Sequence, residues 1–351
     1  MRRISKKITV NGLDIGGGSR ITVQSMLNTD TADIEASKKQ IKRLKKAGCD
    51  IIRFAVASPE IASSVYAFKN EFPDIPFVAD IHFDYKTALS CIDAGIDKIR
   101  INPGNIGDED RIKAVADAAR SKRIPIRIGV NGGSLEKHIL KKYGSTSAEA
   151  LAESALYHAA LLEKFDFDDI VLSVKSSDVA TTIGANRIVA EKCDYPIHLG
   201  VTEAGTKKSG TIKSAVGIGS LLCDGIGDTV RISLTDDPVQ EVYAAKELLD
   251  CIGIYTPLIT TVSCPTCGRT QIDLIKLCAD FDKIKTRLHP SRPVKVALMG
   301  CVVNGPGEAS ECDIGIAGGK AEALLFKHGK PLRKIKYEEI LNTLKEEINK
   351  L

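Results

Sequence analysis

The chain has 351 residues, 43% of them hydrophobic and 27% charged, with a formal net charge of +4. That composition is a globular enzyme's, and the length fits one large domain plus a small one. No apolar stretch reaches the roughly 20 residues a membrane helix needs. The basic start MRRISKKITVNGLDIGG has no apolar core behind it, so a cytoplasmic protein without a leader is expected. No Lys/Arg run comes with interleaved aromatics, which argues against nucleic-acid binding.

The first 250 residues or so, the usual length of a (β/α)8 barrel, repeat one pattern of β-branched run, polar turn and amphipathic helix. The predicted strands are Ile21–Met26, Ile51–Val56, Phe77–Ile81, Ile99–Asn102, Ile126–Val130, Ile170–Lys175, Ile197–Val201 and Val230–Leu234. Between them, Asp33 to Ala47 carries apolar residues at helical spacing and ends on Gly48. Asp84 to Ala94 ends on Gly95 in the same way, and Asp108 to Ser121 runs from acids to a base. Gly16-Gly17-Gly18 precedes the first of these strands and reads as a turn. The pattern predicts an α/β fold, a TIM (β/α)8 barrel over residues 1–255, in preference to an open doubly wound sheet. Residues 256–351 read as a small α/β module. Its strands are Pro257–Val262, Val294–Met299 and Asp313–Ile316, and its helices run from about Gln271 to Asp282 and from Tyr337 to Asn349.

Side chains two apart share one face of a strand. Six barrel strands repeat a base followed by small or polar residues: Arg53–Ala55, Arg100–Asn102, Arg127–Gly129–Asn131, Ser173–Lys175, His198–Gly200–Thr202 and Arg231–Ser233. One buried Arg on a strand reads as half of an ion pair. Six in parallel, with acids sparse apart from Asp80 and Glu203, read as a site for a strongly anionic, phosphorylated ligand. Barrel active sites lie at this carboxyl end of the strands.

Ten cysteines in a reducing compartment point to metal or redox chemistry wherever they cluster. SCPTCGR places Cys264 and Cys267 two residues apart, and MGCVVNGPGE brings Cys301 after the next strand. A 4Fe–4S cluster, a structural zinc with Cys312, and a redox dithiol are all open on spacing alone. Glu308, in the same Gly-rich loop as Cys301, is a candidate oxygen ligand. The remaining cysteines read as small buried hydrophobes. A phosphate-binding barrel aldolase or transferase with a structural zinc module is the competing reading, with Lys175 as its Schiff-base candidate.

Eight segments resemble the bacterial two-domain 4-hydroxy-3-methylbut-2-enyl diphosphate synthases. They are VQSMLNTDT (23–31), VADIHFD (78–84), KIRINPGNIG (98–107), IRIGVNGGSLE (126–136), HLGVTEAGTKKSG (198–210), DTVRISLT (228–235), CPTCGR (264–269) and MGCVVNGPGE (299–308). The resemblance implies reductive opening of a cyclic diphosphate, a step of isoprenoid precursor synthesis. It implies a 4Fe–4S cluster on Cys264, Cys267, Cys301 and Glu308. It implies diphosphate binding by Arg53, Arg100, Asn102, Arg127, Asn131, Lys175, Arg231 and Ser233. Glu203 matches the family's proton donor, a role that burial of its carboxyl would favour, and Asn304 matches its cluster-loop Asn. It also implies a homodimer and electrons from flavodoxin or ferredoxin. His82 and His198 lie in matching segments without an assigned role. Leu27 and Phe54 depart from the pattern where Thr and Val are expected.

Overall fold

The alternation of β-branched runs and helices folds as eight parallel strands in a ring. The computed structural model describes residues 2–303, 307 and 309–351. The chain divides into two units, Met1–Ile254 and Tyr255–Leu351. Among the described residues, no helix is long and apolar enough to cross a membrane.

Before the ring comes a hairpin, β1 (Ile8–Val10) and β2 (Leu13–Ile15), which the reading above did not anticipate. Its turn is Asn11-Gly12, both at positive φ (47° and 76°), the backbone a two-residue hairpin demands. Alternation in ITV-NG-LDI was the available signal. The hairpin's Ile8, Val10 and Ile15 pack on Ile51, Val78 and Val171 from three barrel strands. It forms an apolar floor at the amino-terminal end of the barrel.

The barrel strands are β3 (Thr22–Met26), β4 (Ile51–Ala55), β5 (Phe77–Asp80), β6 (Lys98–Ile101), β7 (Ile126–Asn131), β8 (Ile170–Lys175), β9 (His198–Leu199) and β10 (Thr229–Val230). Each pairs in parallel with its neighbour, β10 pairs with both β3 and β9, and a bridge from Leu172 to Ile197 closes the ring. The last two strands are shorter than predicted. At and past Leu199 the contacts thin to single bonds, Arg231 N–H to the Leu199 carbonyl at 3.0 Å on one side and Thr202 N–H to the Ser176 carbonyl at 3.2 Å on the other.

The helices start and stop where their caps dictate. Asp33, Asp84 and Asp108 each accept backbone N–H bonds at the start of Ile34–Ala47, Tyr85–Asp93 and Glu109–Lys122. Gly48 at φ 80° ends the first helix. Strand residues that face the helices are mostly apolar, and Ser25 is an exception that bonds to helix Pro238–Cys251. Phe54 is fully buried and meets Phe68 edge-on at 5.2 Å and Phe77 at 5.9 Å, so this departure from the family pattern fills a core cluster. Leu27 is buried in the same core.

The second unit is a five-stranded sheet: β11 (Ile259–Ser263), β12 (Val294–Met299) and β13 (Ile314–Gly318) in parallel, then β14 (Ala323–Lys327) and β15 (Lys330–Ile335) antiparallel. Helices Leu274–Lys285 and Ile340–Ile348 cover it. The β14–β15 hairpin is an addition to the three predicted strands. It turns on His328-Gly329 at φ 46° and 71°, a less legible turn signal than Asn-Gly.

Candidate active site

Strand alternation places a tier of cations inside the barrel. Asp80, Arg100 and Arg127 are consecutive register neighbours across β5, β6 and β7. Arg53 and Arg100 converge on Asp80, donating from Nη2 at 2.5 Å and Nη1 at 3.2 Å. His82 reaches the same carboxylate at 3.1 Å from a half-exposed position. Burial alone would raise the Asp80 pKa, but Arg53, His82 and Arg100 overcome it and hold the carboxyl well below its usual range. Arg231, just past β10, is gripped by Glu241, with Nε to Oε2 at 3.1 Å and Nη2 to Oε1 at 3.0 Å.

Glu241 was not identified from the sequence. It lies on helix Pro238–Cys251, buried, and also accepts from Ser25 Oγ at 2.8 Å and Leu234 N–H at 3.2 Å. Its place on the apolar face, with Ala245 and Leu248 one and two turns on, was the available signal. The acids near the ring are therefore Asp80 and Glu241. Glu203 is a different case. It is exposed on the loop after β9, at φ 51°.

The small residues two positions after the bases make room for them. A Cβ at Gly129 would lie 2.3 Å from Arg100 Nε, and one at Gly200 would lie 2.6 Å from Lys175 Nζ. The two asparagines shape the rim. Asn102 caps the turn Pro103–Ile106 by accepting from Gly104 N–H at 3.1 Å, and Asn131 accepts from Gly133 N–H at 3.1 Å. Ser233 is half-buried three residues past β10.

The interior runs deeper than predicted. Lys98, the first residue of β6, is fully buried and its Nζ has no protein partner. It lies on the face of Arg100, one step outside the predicted strand. Arg127 Nε and Nη1, His198 Nε2, Gln24's amide and Thr22 Oγ1 are likewise buried without a protein partner. Burial and then the repulsion of Arg127 push Lys98 down to about 7. Burial, followed by the neighbouring cations, drives Lys175 and His198 well below their ordinary values. Guanidinium does not release its proton in proteins, so the crowding is relieved at the lysines and the histidine.

In the second unit, Cys264 directly follows β11 and Cys301 follows β12 by two residues, and these strands are parallel neighbours. The two loops are tied together. Gly300 N–H donates to Cys264 Sγ at 3.2 Å, and Gln271 N–H donates to the Gly300 carbonyl at 2.8 Å. Gly300 is required here, because a Cβ would meet Thr270 at 2.9 Å. Cys267 is exposed, and hydrogen bonds from the backbone and side chain of Arg269 hold its thiol below the usual value. Cys301 is buried. Among the described residues, no three His, Cys, Asp or Glu side chains are grouped closely enough to hold a metal ion. Asn304 and Glu308 lie outside the described residues. The donor chemistry fits an iron–sulfur cluster: an N–H already bonded to one sulfur and a thiol held toward thiolate are what such ligands need.

Cys312 is buried beside Met299 and Ala317, with the partly buried Cys264 packed against the same cluster. Cys223 and Cys251 correct the expectation that the other cysteines are buried. Each is the last residue of its helix and is exposed.

Two family descriptions match the chain: the GcpE TIM-barrel domain over residues 5–246 and the GcpE protein C-terminal domain over 260–350. A 4-hydroxy-3-methylbut-2-en-1-yl diphosphate synthase (flavodoxin) of Caldanaerobacter subterraneus is 54% identical over 351 residues, covering 100% of this chain and 98% of that one. The proteins of the same name from Ruminiclostridium cellulolyticum and Clostridium acetobutylicum are each 53% identical, covering 100% of this chain and 98% and 100% of theirs. Among solved structures, the Plasmodium falciparum HPPK-DHPS aligns with a TM-score of 0.52 at 12% identity, covering 71% of this chain and 48% of that one. At that identity the likeness concerns barrel architecture alone. The full-length relatives carry the synthase name and not that of an aldolase or transferase.

Proposed function

This chain belongs to the GcpE family, and on that premise we propose that it reduces 2-C-methyl-D-erythritol 2,4-cyclodiphosphate to 4-hydroxy-3-methylbut-2-enyl diphosphate. Two electrons and two protons enter, the ring carbon–oxygen bond breaks, and one oxygen leaves as water. The diphosphate stays attached throughout, so a site for this reaction must hold a diphosphate before and after ring opening. The observation that best supports the reading is the barrel interior. Four arginines and two lysines face a space in which Asp80 and Glu241 are the neighbouring carboxylates.

Arg53, Arg100, Arg127 and Arg231 hold the phosphoryl oxygens in this reading, with Lys175 as a point charge and Asn102, Asn131 and Ser233 at the rim. Asp80 fixes the guanidinium groups of Arg53 and Arg100 and Glu241 that of Arg231, which in this reading sets the ligand's orientation. Glu203 supplies a proton to the leaving oxygen, and bound substrate would replace the water that now surrounds its carboxyl. Cys264, Cys267, Cys301 and Glu308 would hold a 4Fe–4S cluster, and Asn304 of the same sequence segment is a further candidate for the reaction. Such a cluster supplies electrons one at a time. Reduced flavodoxin, named in the relatives, is the proposed donor, with ferredoxin as a substitute. A cytoplasmic homodimer completes the proposal.

The test is anaerobic turnover of the cyclic diphosphate with reduced flavodoxin, followed by 31P NMR. The reading expects the two ring phosphorus signals to be replaced by those of a linear diphosphate. Zinc-containing, iron-free protein that leaves the cyclic diphosphate unchanged would contradict it.

A further inference from the structure

Below the arginine tier, Lys98 projects from the first position of β6 into the closed interior of the barrel. Its register neighbour Val78 packs on the apolar hairpin floor. Its side chain is fully buried and its Nζ has no protein acceptor. An ammonium in that position is costly unless paired. The charged and titratable groups that share the interior are Arg100 on its own strand, Asp80 on β5, Arg127 on β7, Arg53 on β4, Lys175 on β8 and His198 on β9. Arg231, past β10, completes the set. Asp80 is committed to Arg53 and Arg100, and Glu241 to Arg231. Among the described residues, no side chain accepts a hydrogen bond from Lys98 Nζ, and neither carboxylate is left to compensate its charge.

We propose that Lys98 is a positioning residue for the anionic ligand, acting beneath Arg127, and that it takes up one proton from solvent when the diphosphate enters the tier above it. The inference rests on the functional reading given above and adds to it a coupling between ligand binding and protonation. A diphosphate brings the negative charge the interior lacks, and a charged Lys98 then repels less and attracts more. Lys98 is held at about 7 in the free protein, and an anion nearby raises that value. The sign follows. Below pH 7 the residue is already protonated and binding takes up little. Above pH 7 each binding event must draw a proton, so affinity falls as pH rises. The falling limb is bounded by tenfold per pH unit for one proton.

The cyclic diphosphate suits the test, because its phosphoryl groups have no ionisation near neutrality, and without an electron donor it is not consumed. Anaerobic calorimetry on the holoenzyme, at pH 6 and pH 8 in buffers of different ionisation enthalpy, counts the protons taken up. Wild type should take up more at pH 8 than at pH 6. Lys98→Met should take up about one proton fewer than wild type at pH 8, and its affinity should vary less between the two pH values. Lys98→Arg, which cannot shed its proton, should show the same loss of uptake while retaining tighter binding than Lys98→Met. Should Lys98→Met fail to fold, the arginine variant and the wild-type pH comparison each decide the matter alone. Equal uptake by wild type and a folded Lys98 variant at pH 8, or no more uptake by wild type at pH 8 than at pH 6, overturns the inference and leaves the functional reading standing. No binding to wild type at either pH overturns the functional reading, and this inference with it.

Discussion

Arg53, Arg100, Arg127 and Lys175 stand on barrel strands, and Arg231 and Ser233 stand within three residues of one. Cys264, Cys267 and Cys301 all lie past the ends of their strands, on loops where Val302, Val303 and Cys267 are exposed. The two regions fix their chemistry by different means. In the barrel, closed hydrogen-bonded strands hold the cations in place before any ligand arrives, and the unfavourable charge is carried by the stability of the whole ring. In the second unit, two strands deliver two thiols and a pair of loop hydrogen bonds orients one of them, leaving the rest to be gathered by what binds. An anion site can be built in advance from fixed cations. A cluster site is completed by its cluster.

The sharpest way to break that comparison is Cys301→Ser. It should remove the iron and sulfide absorbance and reduce turnover to below about one per cent of wild type, since metal binding is what completes such a site. The barrel's ability to bind the cyclic diphosphate should survive, measured by calorimetry. Arg127→Met should give the reverse pattern, with an intact cluster spectrum and ligand affinity reduced roughly 10- to 100-fold, the loss of one charged hydrogen-bonding group.

Glu241→Gln tests whether the barrel's charges are pre-set. It leaves the partly buried Arg231 without its carboxylate and should lower unfolding stability by about 3 kcal/mol, read as a fall in the thermal transition. Lys98→Met should act in the opposite direction. Folded Lys98 sits at about 7 against 10.5 in the unfolded chain, so between those values the unfolded state binds more protons and wild-type stability rises with pH. Removing the amine should therefore raise the ligand-free protein's stability at pH 7 by roughly 2 to 4 kcal/mol, with the gain vanishing near pH 10. The smallest effect expected is that of Gly12→Ala in the floor hairpin. No atom lies within 4 Å of the added Cβ, so only the φ of 76° is strained, at about 1 kcal/mol. It should change neither iron content nor ligand binding.

Most of the barrel was legible because its two signals, β-branched runs and capped amphipathic helices, repeat eight times. Each repeat constrains the others. The two hairpins were not read, because a reading tuned to strand–helix alternation passes over strands joined by two residues. For β1 and β2 the Asn11-Gly12 turn was in plain view. The ring of bases was legible from alternation, but its depth was not. Lys98 fell one residue outside the predicted strand, and Glu241 arrives from a helix, so strand periodicity could not supply it. Glu203 was legible as a candidate acid, while its exposure depends on a loop conformation that alternation does not encode. The cysteines were legible as candidate ligands by spacing, and which metal such ligands would hold is a matter of chemistry that spacing leaves open.

The central claim is that the barrel's pre-built cations hold an anionic substrate whose reduction needs an iron–sulfur cluster. It is tested most directly by assaying anaerobically purified protein for iron, sulfide and turnover of the cyclic diphosphate in one preparation. The account predicts iron and sulfide in equal amounts, and turnover that scales with them. Turnover by cluster-free protein, or a fully loaded cluster with no turnover under reduced flavodoxin, would contradict it.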